Sequence, residues 1–316
     1  MKTSLKFLFI ILLLNVRMIG QNEIPKASEF IIHTEDIDNF YTAFELAIKD
    51  TTNAVSIFDK KYFKKGSKGL KDFYKSKIKD KEIFTERILK DKRFYTSIKN
   101  DLMKIRSFND TLINDFRNFK NSYPNAVSGD IYFVIGRLNS NGTVSKNGLI
   151  IGAEILSKTW DNSVSWNKEL KSWVLNFNHI PITVFHEMIH FNQKGMTKQK
   201  NLLSYALAEG SAEFLTELFK KQTDGNYSKF KNRELIIWED FKKEMYVDVY
   251  DNWHEDNEPL RPMNALYWAG YLICKSYYEK ALDKTQAVYD ILNIKDNTEF
   301  YNKSGIDEYL NKNYEN

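Results

Sequence analysis

Two of the five histidines in this 316-residue chain, His186 and His190, fall in the stretch Val184-Phe185-His186-Glu187-Met188-Ile189-His190-Phe191-Asn192. A spacing of four residues is about one helical turn, so on a helix both imidazoles leave the same face and can grip one metal ion. Glu187 stands next to the first of them, off the ligand spacing. Two neutral imidazoles on a metal, with a carboxylate able to take a proton from metal-bound water, are the parts a zinc hydrolase needs. The alternative for the same residues is a helix whose two histidines are satisfied by polar neighbours.

A third ligand stands at a usable distance. After His190 a polar, Lys-rich connection runs from Phe191 to Lys200, and a second helical pattern spans Leu202 to Phe219 with Glu209 inside it. The eighteen residues between His190 and Glu209 let one helix end, turn back and present a carboxylate from the facing helix. Three protein ligands with a fourth position left for water make a catalytic zinc site rather than a closed structural one. Glu213, one turn further on, could hold a ligand histidine through its second ring nitrogen, or be a solvated surface glutamate. Gly210 and Ala212 leave room for close helix packing beside the metal, and Glu217 reads as surface.

His186-Glu187-x-x-His190 followed by Glu209-Gly210-x-Ala212 resembles the gluzincin branch of zinc metallopeptidases. More narrowly, the chain is similar to the predicted zinc-dependent proteases known as the domain of unknown function 2268, a resemblance that reaches to bacterial gliding-motility lipoproteins. Ile32-x-Thr34-x-Asp36-Ile37-x-x-Phe40 and Gly66-Ser67-x-Gly69-Leu70-x-x-Phe73 agree with it, as does a glycine-containing hairpin before the metal helix. The similarity covers most of the chain after residue 28; only the metal motif is highly specific. It implies a zincin-like fold, one zinc on His186, His190 and Glu209, Glu187 as general base, and a peptide or protein substrate. It also implies a strand that receives the substrate backbone, for which Gly148 to Glu154 is the candidate, the alternative being a strand that only supports the metal helix. A donor to the oxyanion is expected opposite the metal. Tyr267 is the first choice, with His254 and Tyr271 behind it and core packing as the competing role for any of the eighteen tyrosines.

Elements able to position these groups are legible on both sides of the motif. Met1 to Gly20 reads as a secretory leader, with Lys2 and Lys6 before the apolar run Phe7 to Leu14, which is too short to span a bilayer. Its removal takes away Lys2, Lys6 and Arg17 and no acid, lowering the net charge from +4 to +1. A near-neutral chain argues against a nucleic-acid partner. Cys274 is the only cysteine, which rules out an intramolecular disulfide, and no cysteine follows the apolar run to accept a lipid.

From Asp36 to Tyr123 apolar residues recur every three or four positions, with breaks near residues 50–53, 66–69, 79–81 and 108–111. The lysines between Lys60 and Lys81 then form the solvated face of a helical hairpin. After Pro124 the period changes: Ile131 to Leu138 and Leu149 to Leu156 read as two strands of a hairpin, with turn chemistry at Asn139 to Gly142. Pro181 suits the first turn of the metal helix, and His179 reads as a capping or surface residue. Beyond the site, helices are expected over Tyr227 to Tyr250 and Met263 to Ala281, separated by an acidic loop.

These readings combine into an α+β, mainly α fold: a leader over 1–20 and one metallopeptidase domain over 21–316. Within it lie a helical lobe at about 30–125, a hairpin at about 131–156, the metal site at 183–219 and C-terminal helices at 228–316. The function expected is zinc-dependent peptide-bond hydrolysis by an exported protein, periplasmic or secreted, without a transmembrane segment in the mature chain. The alternative is a non-catalytic envelope binding or assembly component that retains a metal.

Overall fold

Between the helical lobe and the helix Ile180–Asn192 lies a four-stranded sheet in the order β1-β2-β4-β3, with β1 Ile32–His33, β2 Asp130–Val134, β3 Gly142–Ser145 and β4 Gly148–Gly152. These elements come from a computed structural model that describes residues 30–158, 166, 171, 173–223, 225, 227–254 and 261–314. The leader over Met1 to Gly20 lies outside the described residues, and no helix among them is long and apolar enough to cross a membrane. The fold is α+β and mainly helical.

Strand pairing departs from the sequence expectation. β2 and β4, expected as two arms of a hairpin, run parallel, with Ile131 opposite Leu149 and Phe133 opposite Ile151. The hairpin is made instead by β3 and β4, with Ser145 opposite Gly148, so β3 begins at a glycine expected in the turn. Leaving β2 at Val134, the chain passes the place of β4, forms the edge strand β3, and returns by the hairpin into the gap. The apolar strands are buried on both faces, and the alternation that distinguishes an antiparallel pair is therefore missing.

Register sorts the two faces of the sheet. Tyr132, Ile150 and Gly152 face the lobe, where Gly69 lies against the Tyr132 ring and Gly152 against Phe73. Ile151 and its partner Gly142 face the helix Ile180–Asn192, with Gly142 against Glu187. The lobe holds the far end of β2 through tyrosine hydroxyls: Tyr62 donates to the carbonyl of Ile135 (2.7 Å), accepts from its N–H (2.8 Å), and Tyr95 donates to the carbonyl of Gly136 (3.3 Å). The expected hairpin of lobe helices is present, with Tyr62, Leu70, Phe73 and Ile78 buried. Two of its turns are π-helical, Asp59–Phe63 and Tyr74–Ile78, each closed by a bond to the carbonyl five residues back.

The helix Ile180–Asn192 starts with Pro181 in its first turn and is apolar on nearly every side, as a helix enclosed between a sheet and other helices must be. Asn201 caps the following helix, Leu202–Lys220, by accepting from the Ser204 N–H (2.9 Å). That helix packs at backbone distance on Ala265–Lys280. A Cβ on Gly210 would strike the backbone of Gly270 and Tyr271, and one on Gly270 would strike the Ala206 carbonyl. Gly270→Ala should therefore push the helices apart and move Glu209, next to Gly210, away from the histidines. Urea unfolding should show a loss of about 1–3 kcal/mol, reduced by the helix propensity of Ala, worth up to ~1 kcal/mol. Unchanged stability would mean that the helices do not meet at this glycine pair.

Candidate metal centre

His186 and His190 share one face of the Ile180–Asn192 helix and meet Glu209 from the facing Leu202–Lys220 helix. Nε2 of His186 and Nε2 of His190 are 3.0 Å apart, and Oε2 of Glu209 is 3.7 Å from the first and 3.2 Å from the second. A tetrahedral ion with bonds of about 2.1 Å spaces its ligand atoms by about 3.4 Å, so this triangle fits one.

The partners behind the ligands decide which nitrogens face inward. His190 donates from Nδ1 to Oε1 of Gln193 (2.8 Å), and Nδ1 of His186 faces Oε1 of Glu213 (3.4 Å). With both Nδ1 atoms protonated and engaged, two Nε2 lone pairs and a carboxylate oxygen converge on one point. A metal cation at that point would reconcile them, as would a proton on one ring paired with Glu209. The protein's own charges favour one there: burial opposes protonation of His186, yet the Glu209 bond and the fields of Glu213 and Glu187 outweigh it and push the ring up to about 10. Burial likewise opposes the charge on His190, and Glu209 reverses it. For Glu209, burial is overcome by the two histidines, which hold it well below the usual carboxylate range.

Each expected site residue has a definite place. Glu187 is 6% exposed at the cleft floor, one residue from His186, beside Gly142 of β3. Burial lifts its carboxyl, while His190 and His186 pull it down. Glu213 is 4% exposed, which removes the surface alternative; its Oε2 accepts from the Gly225 N–H (3.2 Å). Tyr267 lines the same cleft with its hydroxyl beside Glu209 and Tyr250, and burial keeps it protonated. His254 lines it too, with its ring 5.2 Å from Tyr250 and 5.9 Å from Tyr267. Tyr271 does not reach the cleft, because its hydroxyl donates to Glu217, so Glu217 is a partner rather than free surface.

One site expectation is corrected outright. Gly148 to Glu154 cannot receive a substrate strand, because β4 is the interior strand, paired on both edges and buried throughout. The edge strand is β3, and Gly142, Thr143 and Val144 line the cleft.

Three contributors escaped the sequence reading. Gln193 anchors His190 and is itself fixed, donating from Nε2 to the Ala208 carbonyl (2.8 Å) and Ser211 Oγ (2.7 Å). Its place three residues after His190 is the signal that could have found it. Glu154, fully buried, accepts from the N–H groups of Gly136 (2.9 Å) and Leu138 (3.2 Å), and holds Leu138 at φ +61° in the loop that leads to β3. Burial lifts its carboxyl to about 7. Gly142 has no side chain because Glu187 occupies that space.

Outer partners fix ligand tautomers, and losing one typically costs ~10- to 100-fold in metal affinity. Gln193→Ala and Glu213→Gln should each weaken metal binding by that order in a chelator competition. Unchanged affinity in both would mean that the rings are oriented by something else.

The cleft around these residues has a volume of about 1040 Å³ and holds the metal triangle, Glu187, Tyr267 and the edge of β3. The chain matches no family model, no curated protein and no solved structure.

Proposed function

We propose that this protein is an exported zinc metallopeptidase of the gluzincin kind, hydrolysing peptide bonds in the cleft between β3 and the helix Ile180–Asn192. The observation that carries the reading is a single juxtaposition: two histidine lone pairs and a carboxylate aimed at one point, with a second buried carboxylate, Glu187, beside them and not among them. A site built only to hold an ion has no use for Glu187. The donor set of two imidazoles and a carboxylate favours zinc, which when bound supplies a Lewis acid and lowers the pKa of water toward ~7.

The chain's own residues account for the proton and the geometry. Glu187, its basicity raised by burial, takes a proton from the attacking water as the oxygen bonds to the scissile carbonyl carbon. It then returns that proton to the nitrogen as the C–N bond breaks. An extended peptide added along the free edge of β3 passes the Glu187 carboxylate at Gly142, where the absent side chain lets that carboxylate lie against the strand. Tyr267, held protonated, donates to the oxyanion across the cleft.

Two measurements test this. A peptide-library digest by the purified protein should give cleavage that a chelator abolishes and zinc restores; a zinc-loaded protein that cuts nothing would favour the binding or assembly alternative. Tyr267→Phe should keep its zinc and melting temperature while kcat falls more than KM rises, since the bond strengthens only in the transition state. Loss of zinc in that variant would instead make Tyr267 a support for Glu209.

A further inference from the structure

The cleft carries charge of both signs: Glu187, Glu209 and Glu213 line it around the histidines, with Lys198 and Lys229, and the wall built by the lobe helices carries Lys77, Arg87, Lys90 and Asp91. Arg87 is committed to Asp91, with Nε 2.7 Å from Oδ2, and Trp166 Nε1 donates to the other oxygen of that carboxylate (3.0 Å). Lys77 and Lys90 have no ion-pair partner among the described residues. The backbone of Lys77 is fixed, since its carbonyl accepts from Asn139 Nδ2 (2.9 Å) and it lies in the π-helical turn Tyr74–Ile78. Its side chain is half-buried, and its charge is felt at Glu187. An ammonium that is partly desolvated, held on a fixed backbone, facing the same cleft as Glu187 and not neutralised by the described residues is placed to meet an anion brought by the substrate.

We propose that this wall is a specificity subsite for a substrate carboxylate, with Lys77 and Lys90 as its cationic groups and the Arg87–Asp91–Trp166 cluster as its rigid back. The substrates are then acidic peptides, bearing Asp, Glu or a free C-terminal carboxylate next to the scissile bond. This rests on the peptidase reading.

The test uses the zinc-loaded full chain and a matched peptide set with Glu, Gln or Lys flanking the scissile bond, each with a free or an amidated C-terminus. The readouts are kcat/KM for the wild type, Lys77→Gln/Lys90→Gln and Lys77→Glu, and peptide affinity for Glu187→Gln by fluorescence anisotropy. Expected is a Glu-over-Gln preference of about threefold to tenfold, the scale of one or two partly exposed charge pairs. It should fall to near parity in the double variant and turn toward the Lys peptide in Lys77→Glu. Persistence of the preference with amidated peptides assigns the subsite to a side chain; its loss assigns it to the terminal carboxylate. Equal cleavage and equal affinity for all three peptides would overturn the proposal while leaving the peptidase reading intact. Charge-dependent affinity without any cleavage would uphold the subsite and sink the peptidase.

Discussion

Glu187→Gln should leave zinc bound and the fold intact while lowering peptide hydrolysis by ~100- to 10,000-fold, the usual contribution of a positioned general base. The substitution is nearly isosteric, and shape is what the site constrains: β3 presses on this side chain so closely that Gly142 has no room for a Cβ. Charge is not required for stability here. Burial already raises the Glu187 carboxyl, so a neutral amide relieves a desolvation cost instead of adding one. Zinc should stay, because Glu187 is not among the three converging donors. Turnover on a fluorogenic peptide, with zinc assayed in the same sample, gives the answer. A zinc-loaded variant that still hydrolyses at the wild-type rate would move the role of base to another residue.

How much of this was legible in the sequence follows from the physics of each element. The convergence of His186, His190 and Glu209 could be read because such a cluster needs fixed spacings: the two histidines one turn apart, and the carboxylate across a helical return. Helices in the lobe were legible because each keeps one apolar stripe, as Phe40 and Phe44 or Phe116 and Phe119 do. The sheet was read correctly only in part. β1 is two residues long and β3 is Gly-Thr-Val-Ser, with no apolar run to announce either. The Ile-rich β2 and β4 carried a signal for parallel pairing in their unbroken apolarity, and that signal was outweighed by the turn-forming residues between them. Consequently the sequence points to the buried β4 where the free edge belongs to its neighbour β3. Tyr271 and Tyr267 are indistinguishable in sequence, one turn apart on one helix, and only packing sends one to Glu217 and the other into the cleft. Gln193 and Glu154 act through bonds to groups that the fold alone brings near, so composition and period are silent about them.

The second large effect concerns the ion itself. His190→Ala removes one Nε2 from the triangle and frees Gln193, and Glu209→Ala removes the carboxylate that offsets the charge. Each loses a ligand rather than an outer partner, so each should cost more than the ~10- to 100-fold in affinity expected for the outer partners. Both side chains border the cleft and are less buried than the core, so the truncations leave space open to water instead of a sealed cavity, and circular dichroism should report a folded chain. Elemental analysis of the purified wild type and the two variants after dialysis against dilute chelator is the decisive measurement. About one zinc per wild-type molecule and little in either variant is the result expected from three converging ligands; full zinc occupancy in both variants would contradict the site.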